Sequence, residues 1–452
     1  MADKASEKLD IVESPVVPVS LPGEMEPDRE ERKKTRRGLL FYLSILGPGL
    51  IAANAGNDAG GIATYSTMGA QFGFQMLWVM VIVGLGVAIV QEMCARMGAA
   101  TGKGLSDLIR ENFPIRLTAF VMLAFLVANG GVIVSEFIGI ASALDIFGIP
   151  QWLGAPVAGL LVWLLIARGS YSRVEKVFLA LTIAFFAYIV AAFMAKPDWI
   201  DVVKNSFVPT FQFNSGFISL VIAAVGTTIS PYMQIYVQSA VVERGVTMRD
   251  YKYQRIDVYS GSAFSIGIAY FIIVATGATI FAGTGGQGKA LGSAADAAQA
   301  LAPFLGDFAK YVFALGLLGA SFLAAGVLPL TTCYSVTEAL GLENGVSKSW
   351  KEAPAFWTMF TVLIVIGVII ATIPGLPVVD ILVNLYLLNG LLLPIVLFAA
   401  LKLVNDRNVM GKYTNGKIYN ILAYSLATIV SLLSIFYLVD QVLSLFNINL
   451  LG

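Results

Sequence analysis

Residues 47–61, GPGLIAANAGNDAGG, and residues 226–231, GTTISP, decide how this chain folds. Both lie inside apolar stretches long enough to cross a membrane, and both interrupt the helix they sit in. In the first, Gly47, Pro48, Gly49, Gly56, Gly60 and Gly61 surround a lone acid, Asp58. Each such glycine weakens a continuous helix by about 1 kcal/mol relative to alanine. In the second, Pro231 falls mid-span, where it removes a backbone donor and crowds the preceding turn. The two stretches are five spans apart. Interrupted helices at matching positions of two five-helix halves point to a transporter with inverted repeats, its site between the unwound segments near the midplane. No residue-level repeat relates the halves, so this expectation rests on the breaks alone.

The rest of the chain agrees with a membrane setting. Of its 452 residues 57% are apolar and 13% charged, with mean hydropathy +0.79, whereas a soluble globular domain carries about 25% charged residues. Eleven apolar segments reach the roughly 20 residues that a helix needs to span hydrocarbon: 41–67, 74–98, 117–143, 149–168, 174–195, 216–243, 257–283, 305–335, 354–375, 377–402 and 418–447. The expected architecture is an all-α polytopic membrane protein: a polar tail over 1–38, five-helix repeats over 39–200 and 201–403, then a loop and an eleventh helix over 404–452.

Basic residues set the orientation. With the N-terminus inside, the inner flanks hold 23 of the 29 Lys and Arg, including the run from Arg29 to Arg37, and the outer flanks hold only Lys196, Lys204, Lys289 and Lys310. Every cation then lies outside the spans or near their approximate ends, the N-terminus is cytoplasmic, and the C-terminus lies on the outer side of the cell membrane. The 29 basic and 29 acidic residues cancel, giving no reason to expect a nucleic-acid partner. Nor does the sequence indicate an obligate protein partner beyond the bilayer itself.

Asp58 is the sharpest chemical signal, because a carboxylate at the bilayer centre costs several kcal/mol unless it faces a cavity or a partner. No Lys or Arg is available to it, which leaves bound cations, protons or backbone donors. Asn54 and Asn57 on the same segment either supply amide oxygens or bond helix to helix. The second break offers Thr227, Thr228 and Ser230, oxygen donors of the kind hard cations prefer, although such side chains also serve local backbone groups. Met233 is the nearest thioether in sequence. Glu136, mid-span, either lines the same aqueous path or bonds across helices, and Tyr386 and Asn389 extend a polar vestibule. The chain has no His, no phosphate-binding loop and no catalytic constellation, so it reads as neither an ATP-driven pump nor an enzyme. It calls for no cofactor.

With these residues in place, the chain resembles the NRAMP family of divalent-metal transporters, most closely its NRAMP-related magnesium transporter branch. The likeness runs from about residue 39 to 402. It is carried by GPGLIAANAGNDAGGIATYSTMGAQFG (47–73), QEMCARMGAATGKGLSDLIRENFP (91–114), SRVEKVFLALT (172–182) and GLLGASFLAAGVLPLTTCYSVTEALG (316–341). In the family's Asp-Pro-Gly-Asn motif the Asp is Asp58, Ala59 replaces the Pro and Gly61 the Asn. The family's binding-site Met becomes Ser230 if the prolines are aligned, or Thr228 with a one-residue shift. Its proton-path Asp, three residues before Glu136, is Ile133, and its basic residue in the ninth span has no counterpart in 356–370.

The resemblance implies a LeuT-type fold of two inverted five-helix repeats plus an extra helix. It also implies an alternating-access carrier of Mg²⁺, passing Mn²⁺ as well and not coupled to protons. Asp58, Gly61, Asn54, Asn57, Thr227, Thr228 and Ser230 are the expected metal-site residues. The alternative is a proton-coupled Mn²⁺ or Fe²⁺ transporter. More distant readings are an amino-acid carrier of the same fold, whose carboxylate substrate Asp58 would repel, and a metal sensor that passes no ion.

Overall fold

The computed structural model describes residues 57–168, 186–302, 306–346, 348–444, 446 and 450. The tail 1–38, residues 41–56 of the first span with Asn54, and residues 174–185 of the fifth lie outside them. The described residues form helices and no strand: α1 (Ala59–Phe72), α2 (Leu77–Thr101), α3 (Leu105–Asn112), α4 (Ile115–Ile146), α5 (Gln151–Arg168), α6 (Phe186–Met194), α7 (Trp199–Phe207), α8 (Ser215–Thr228), α9 (Pro231–Glu243), α10 (Tyr251–Thr276, running on as a π-helix over Gly277–Phe281), α11 (Ala309–Leu340), α12 (Pro354–Ala371), α13 (Val378–Asn405) and α14 (Lys417–Ser444). Among the described residues nine helices, counting α8 and α9 as one, are long and apolar enough to cross a membrane.

The second break falls where the proline demands it. Helix α8 stops at Thr228, and Ile229 N–H closes it on Val225 O at 2.8 Å. Pro231 then opens α9 from the first helical position, where its missing N–H costs nothing. In a continuous helix that N–H would have served Thr227 O. Ser230 Oγ takes over, donating to Thr227 O at 3.2 Å and to Gly226 O. The side chain thus repairs the backbone that the proline disrupts.

Packing is inside-out relative to a soluble protein. Polar side chains are buried among the helices, as where Asn129 of α4 donates to Leu328 O at 3.3 Å and to Thr332 Oγ1 of α11. Leu85, Leu160 and Ile421, by contrast, are 59 to 65% exposed on the perimeter. Helix α4 packs against α11, α12 and α13, α2 lies between α9 and α10, and α8 crosses α13. At that crossing Gly226 and Gly390 bring the two backbones together, since a Cβ on Gly226 would overlap Tyr386 O and Gly390 N.

Two expectations need amendment. Helices run past the hydropathy windows into their charged flanks, so Arg116 lies on α4 and Lys252 and Arg255 on α10, while Arg96 and Lys402, near the ends of their own windows, lie on α2 and α13. Arg96 is engaged there, with Glu92 Oε2 at 3.3 Å and Tyr413 O at 2.7 Å. The short amphipathic helices α3 and α7 were not anticipated. Asp198 starts α7 by accepting from Ile200 N at 2.9 Å.

Gly226→Ala forces a methyl group into backbone atoms that have no rotamer to yield. It is expected to cost about 1–3 kcal/mol, read as a lower melting temperature in detergent. Gly267→Ala on α10, where a Cβ meets nothing within 4 Å, should not lower the melting temperature and gains up to about 1 kcal/mol of helix propensity.

Candidate functional site

Asp58 is the last residue before α1 and caps it. Its Oδ1 accepts from Gly61 N at 2.9 Å, and its backbone is extended, with φ −73° and ψ −173°. The positive end of the helix dipole therefore faces the carboxylate. On its other side Oδ2 accepts from Tyr386 O–H of α13 and, at 3.5 Å, from Tyr232 O–H of α9. Asp58, Tyr232 and Tyr386 are all 0% exposed.

Glu136 of α4 joins the same cluster. Its Oε2 accepts from Ala59 N at 3.1 Å, and its Oε1 from Ser135 Oγ at 3.0 Å and from Tyr386 O–H at 3.3 Å. Two carboxyl groups thus take two of the first N–H groups of α1, while one tyrosine hydroxyl lies between them. Gly60 makes this possible: a Cβ there would overlap the Tyr386 ring.

Residues of the second break adjoin from α8. Thr228 Oγ1 lies 2.8 Å from Tyr65 O–H of α1 and donates to Ala224 O at 2.6 Å. Ser230 Oγ, already turned to its own backbone, accepts from Asn389 Nδ2 of α13 at 2.8 Å. The same Nδ2 donates to Gly226 O at 2.9 Å. Tyr386 and Asn389, three residues apart on α13, therefore hold the start of α1 and the break between α8 and α9.

Of the residues singled out from sequence, Asp58, Gly61, Glu136 and Tyr386 meet directly. Thr228 is joined to α1 through Tyr65. Ser230 and Asn389 bond to each other. Asn57 points elsewhere, its Nδ2 donating to Ser265 O of α10 at 3.1 Å, which is the helix-to-helix alternative. Met233 is also turned away, its Sδ accepting from Gln91 Nε2 of α2 at 3.7 Å. Tyr65 and Tyr232 were missed, although Tyr232 directly follows the breaking proline.

Among the described residues no three His, Cys, Asp or Glu side chains converge. A cation here would therefore take one or two carboxylates and complete its shell from neutral oxygens. The freed carbonyls of α8, at the negative end of that helix, and the Thr228 and tyrosine hydroxyls are the donors at hand.

The family model described as natural resistance-associated macrophage protein-like matches residues 49–440. The divalent metal cation transporter MntH of Deinococcus radiodurans is 30% identical over 305 residues, covering 64% of this chain and 68% of that protein. That of Bacillus subtilis is 26% identical over 420 residues, covering 89% and 94%. A solved structure of the Eremococcus coleocola manganese transporter superposes with TM-score 0.73 at 19% identity, covering 91% of this chain and 90% of that one. Mhp1, a nucleobase-cation-symport-1 family transporter, gives 0.55 at 14%, covering 87% and 90%. The fold is of the LeuT type.

Tyr386→Phe removes the hydroxyl shared by Asp58 and Glu136 and leaves the ring in place. Loss of a buried bond to a carboxyl group is worth about 1–3 kcal/mol, so the metal-free variant should melt below the wild type in a detergent thermal scan.

Proposed function

The chain belongs to the Nramp family of divalent-metal transporters, and from that premise we propose that it carries Mg²⁺ as its main substrate and Mn²⁺ alongside, by alternating access and without protons. The carrying observation is the buried Asp58 carboxylate at the start of α1, with oxygen donors around it and the thioether of Met233, two residues past the second break, directed to Gln91. Oxygen ligands suit Mg²⁺ and Mn²⁺, while softer ions gain most from sulfur. Asp58 is the charged ligand in this reading. Gly61, Thr227, Thr228 and the carbonyls of the second break surround it, and Asn57 and Ser230 serve as helix ties. Thr228 takes the family's Met position, because it is linked to the α1 side through Tyr65, whereas Ser230 is held by Asn389 and its own backbone. The chain lies in the cell membrane with the N-terminus inside, the C-terminus outside, and the repeats spanning 39–200 and 201–403.

One observation favours the proton-coupled alternative. Glu136, Tyr386 and Asp58 form a hydrogen-bonded line along which a proton has somewhere to go. Against it stand Ile133 at the family's proton-path position and the absence of His from the chain.

One experiment separates the two readings: influx of Mg²⁺ and Mn²⁺ into proteoliposomes holding a pH-sensitive dye, with the potential clamped. The dye should stay flat during influx, and metal-dependent acidification would restore proton coupling. In the same assay Asp58→Ala should cut influx by about 100-fold or more while the protein stays folded. Uptake at the wild-type rate by that variant would remove Asp58 from the site.

Selectivity tests the ligand type. Thr228→Met combined with Gly61→Asn introduces sulfur and narrows the site, and should shift relative influx from Mg²⁺ toward Mn²⁺ and Cd²⁺ by about tenfold. An unshifted ratio would refute the oxygen-shell account.

A further inference from the structure

Beyond the break, α9 buries two glutamines four residues apart, Gln234 at 1% and Gln238 at 0% exposure. Each spends its amide N–H on a backbone carbonyl. Gln234 Nε2 donates to Ile229 O at 3.5 Å, within the break itself, and Gln238 Nε2 donates to Lys103 O at 2.9 Å. Each leaves its Oε1 buried without a partner. Gln91 of α2, whose Nε2 reaches Met233 Sδ, leaves a third such oxygen. Helical spacing puts Gln234 and Gln238 on one face, about 6 Å apart along the axis. Gly98 of α2 faces that row, since a Cβ there would sit 3.3 Å from Gln238 Cγ and 2.8 Å from Gln238 O.

Buried acceptors without partners are uncommon, because each has given up hydration for nothing. Here they recur at one helical repeat. The row starts at the break beside Asp58 and ends at the loop holding Lys103, which the proposed orientation places on the cytoplasmic side. Amide oxygens attract a cation as dipoles without adding charge, which suits a step that an ion must enter and then leave. A strong ligand such as a second carboxylate would retain it.

We propose that the Oε1 atoms of Gln234 and Gln238 form an oxygen-lined exit step, over which the divalent cation, still partly hydrated, passes between Asp58 and the cytoplasmic face. This rests on the carrier reading above.

The test uses the full chain in proteoliposomes with MgCl₂ and MnCl₂, and the same protein in detergent for equilibrium Mg²⁺ binding. The double variant Gln234→Met, Gln238→Met keeps length and volume but removes both carbonyls. Its maximal influx should fall about tenfold, with equilibrium binding changed by less than about twofold. Wild-type maximal influx would mean that the two oxygens meet only water or nothing, and a parallel loss of binding would place them in the Asp58 site; either overturns the proposal. Gln238→Glu preserves shape and adds charge, so it covers the case in which the double variant does not fold. It should lower the half-saturating concentration and slow maximal influx, and unchanged values of both would also overturn it. Wild-type influx in the same liposomes separates the two levels. If the wild type passes neither ion, the carrier reading falls and this inference with it. If the wild type passes them and the variants match it, only this inference falls.

Discussion

A carboxylate buried in a membrane protein with no cationic side chain against it among the described residues is the constraint from which the rest of this structure follows. Asp58 is 0% exposed, and its partners among the described residues are a backbone N–H and two tyrosine hydroxyls. Dipoles reduce the desolvation cost of such a group without replacing a countercharge. On the proposed reading α1 has to start just after Asp58 so that free N–H groups point at it, and the second span has to break beside it so that carbonyl oxygens are released from helical bonding. A continuous helix at either place would satisfy its own backbone and offer an arriving ion nothing. Glycine and proline at these positions cost helix stability, and the site depends on that cost.

One helix then controls both breaks. Tyr386 ties α13 to Asp58 and Glu136 on the α1 side, and Asn389, one turn away, ties it to Gly226 and Ser230 on the α8 side. The contact is close because Gly60, Gly226 and Gly390 leave no side chain in the way. An ion that approaches Asp58 Oδ2 competes directly with the Tyr386 hydroxyl for the same lone pairs. Displacing that hydroxyl loosens α13 from α1 while Asn389 still holds α8. On the proposed reading, ion occupancy and helix position are coupled through a two-residue contact, which is the kind of discrete element that alternating access requires.

What the sequence disclosed and what it hid divide along physical lines. Asp58, the glycines around it and Pro231 were legible because each breaks a local rule, and a broken local rule in an apolar span signals function. The spans themselves were legible from hydropathy, but their ends were not, since helices such as α10 take in charged residues, Lys252 and Arg255, that hydropathy leaves outside the span. The short helices α3 and α7 are amphipathic and brief, giving no hydropathy signal. Asn57 looked equivalent to Asp58 by proximity, yet consecutive residues at a helix start point in different directions, and Asn57 reaches α10 instead. Tyr232, Tyr386 and Glu136 converge from three separate helices, which no local pattern encodes.

The position of sulfur shows how far ligand type can be argued from this geometry. Met233 lies two residues after the breaking proline, and sequence alone leaves its thioether free to reach the site. In the structure its Sδ faces Gln91 of α2, because α9 begins at Pro231 and the helical register turns position 233 away from Asp58. A side chain at 228 sits on the last turn of α8 and is directed toward α1, as the Thr228 contact with Tyr65 shows. On the proposed reading, then, the chemistry of the shell is set by the residue that ends α8 and not by the residues that begin α9. A hydroxyl there leaves an ion facing oxygen from both breaks, and discrimination falls to how much water the ion must shed to fit between them.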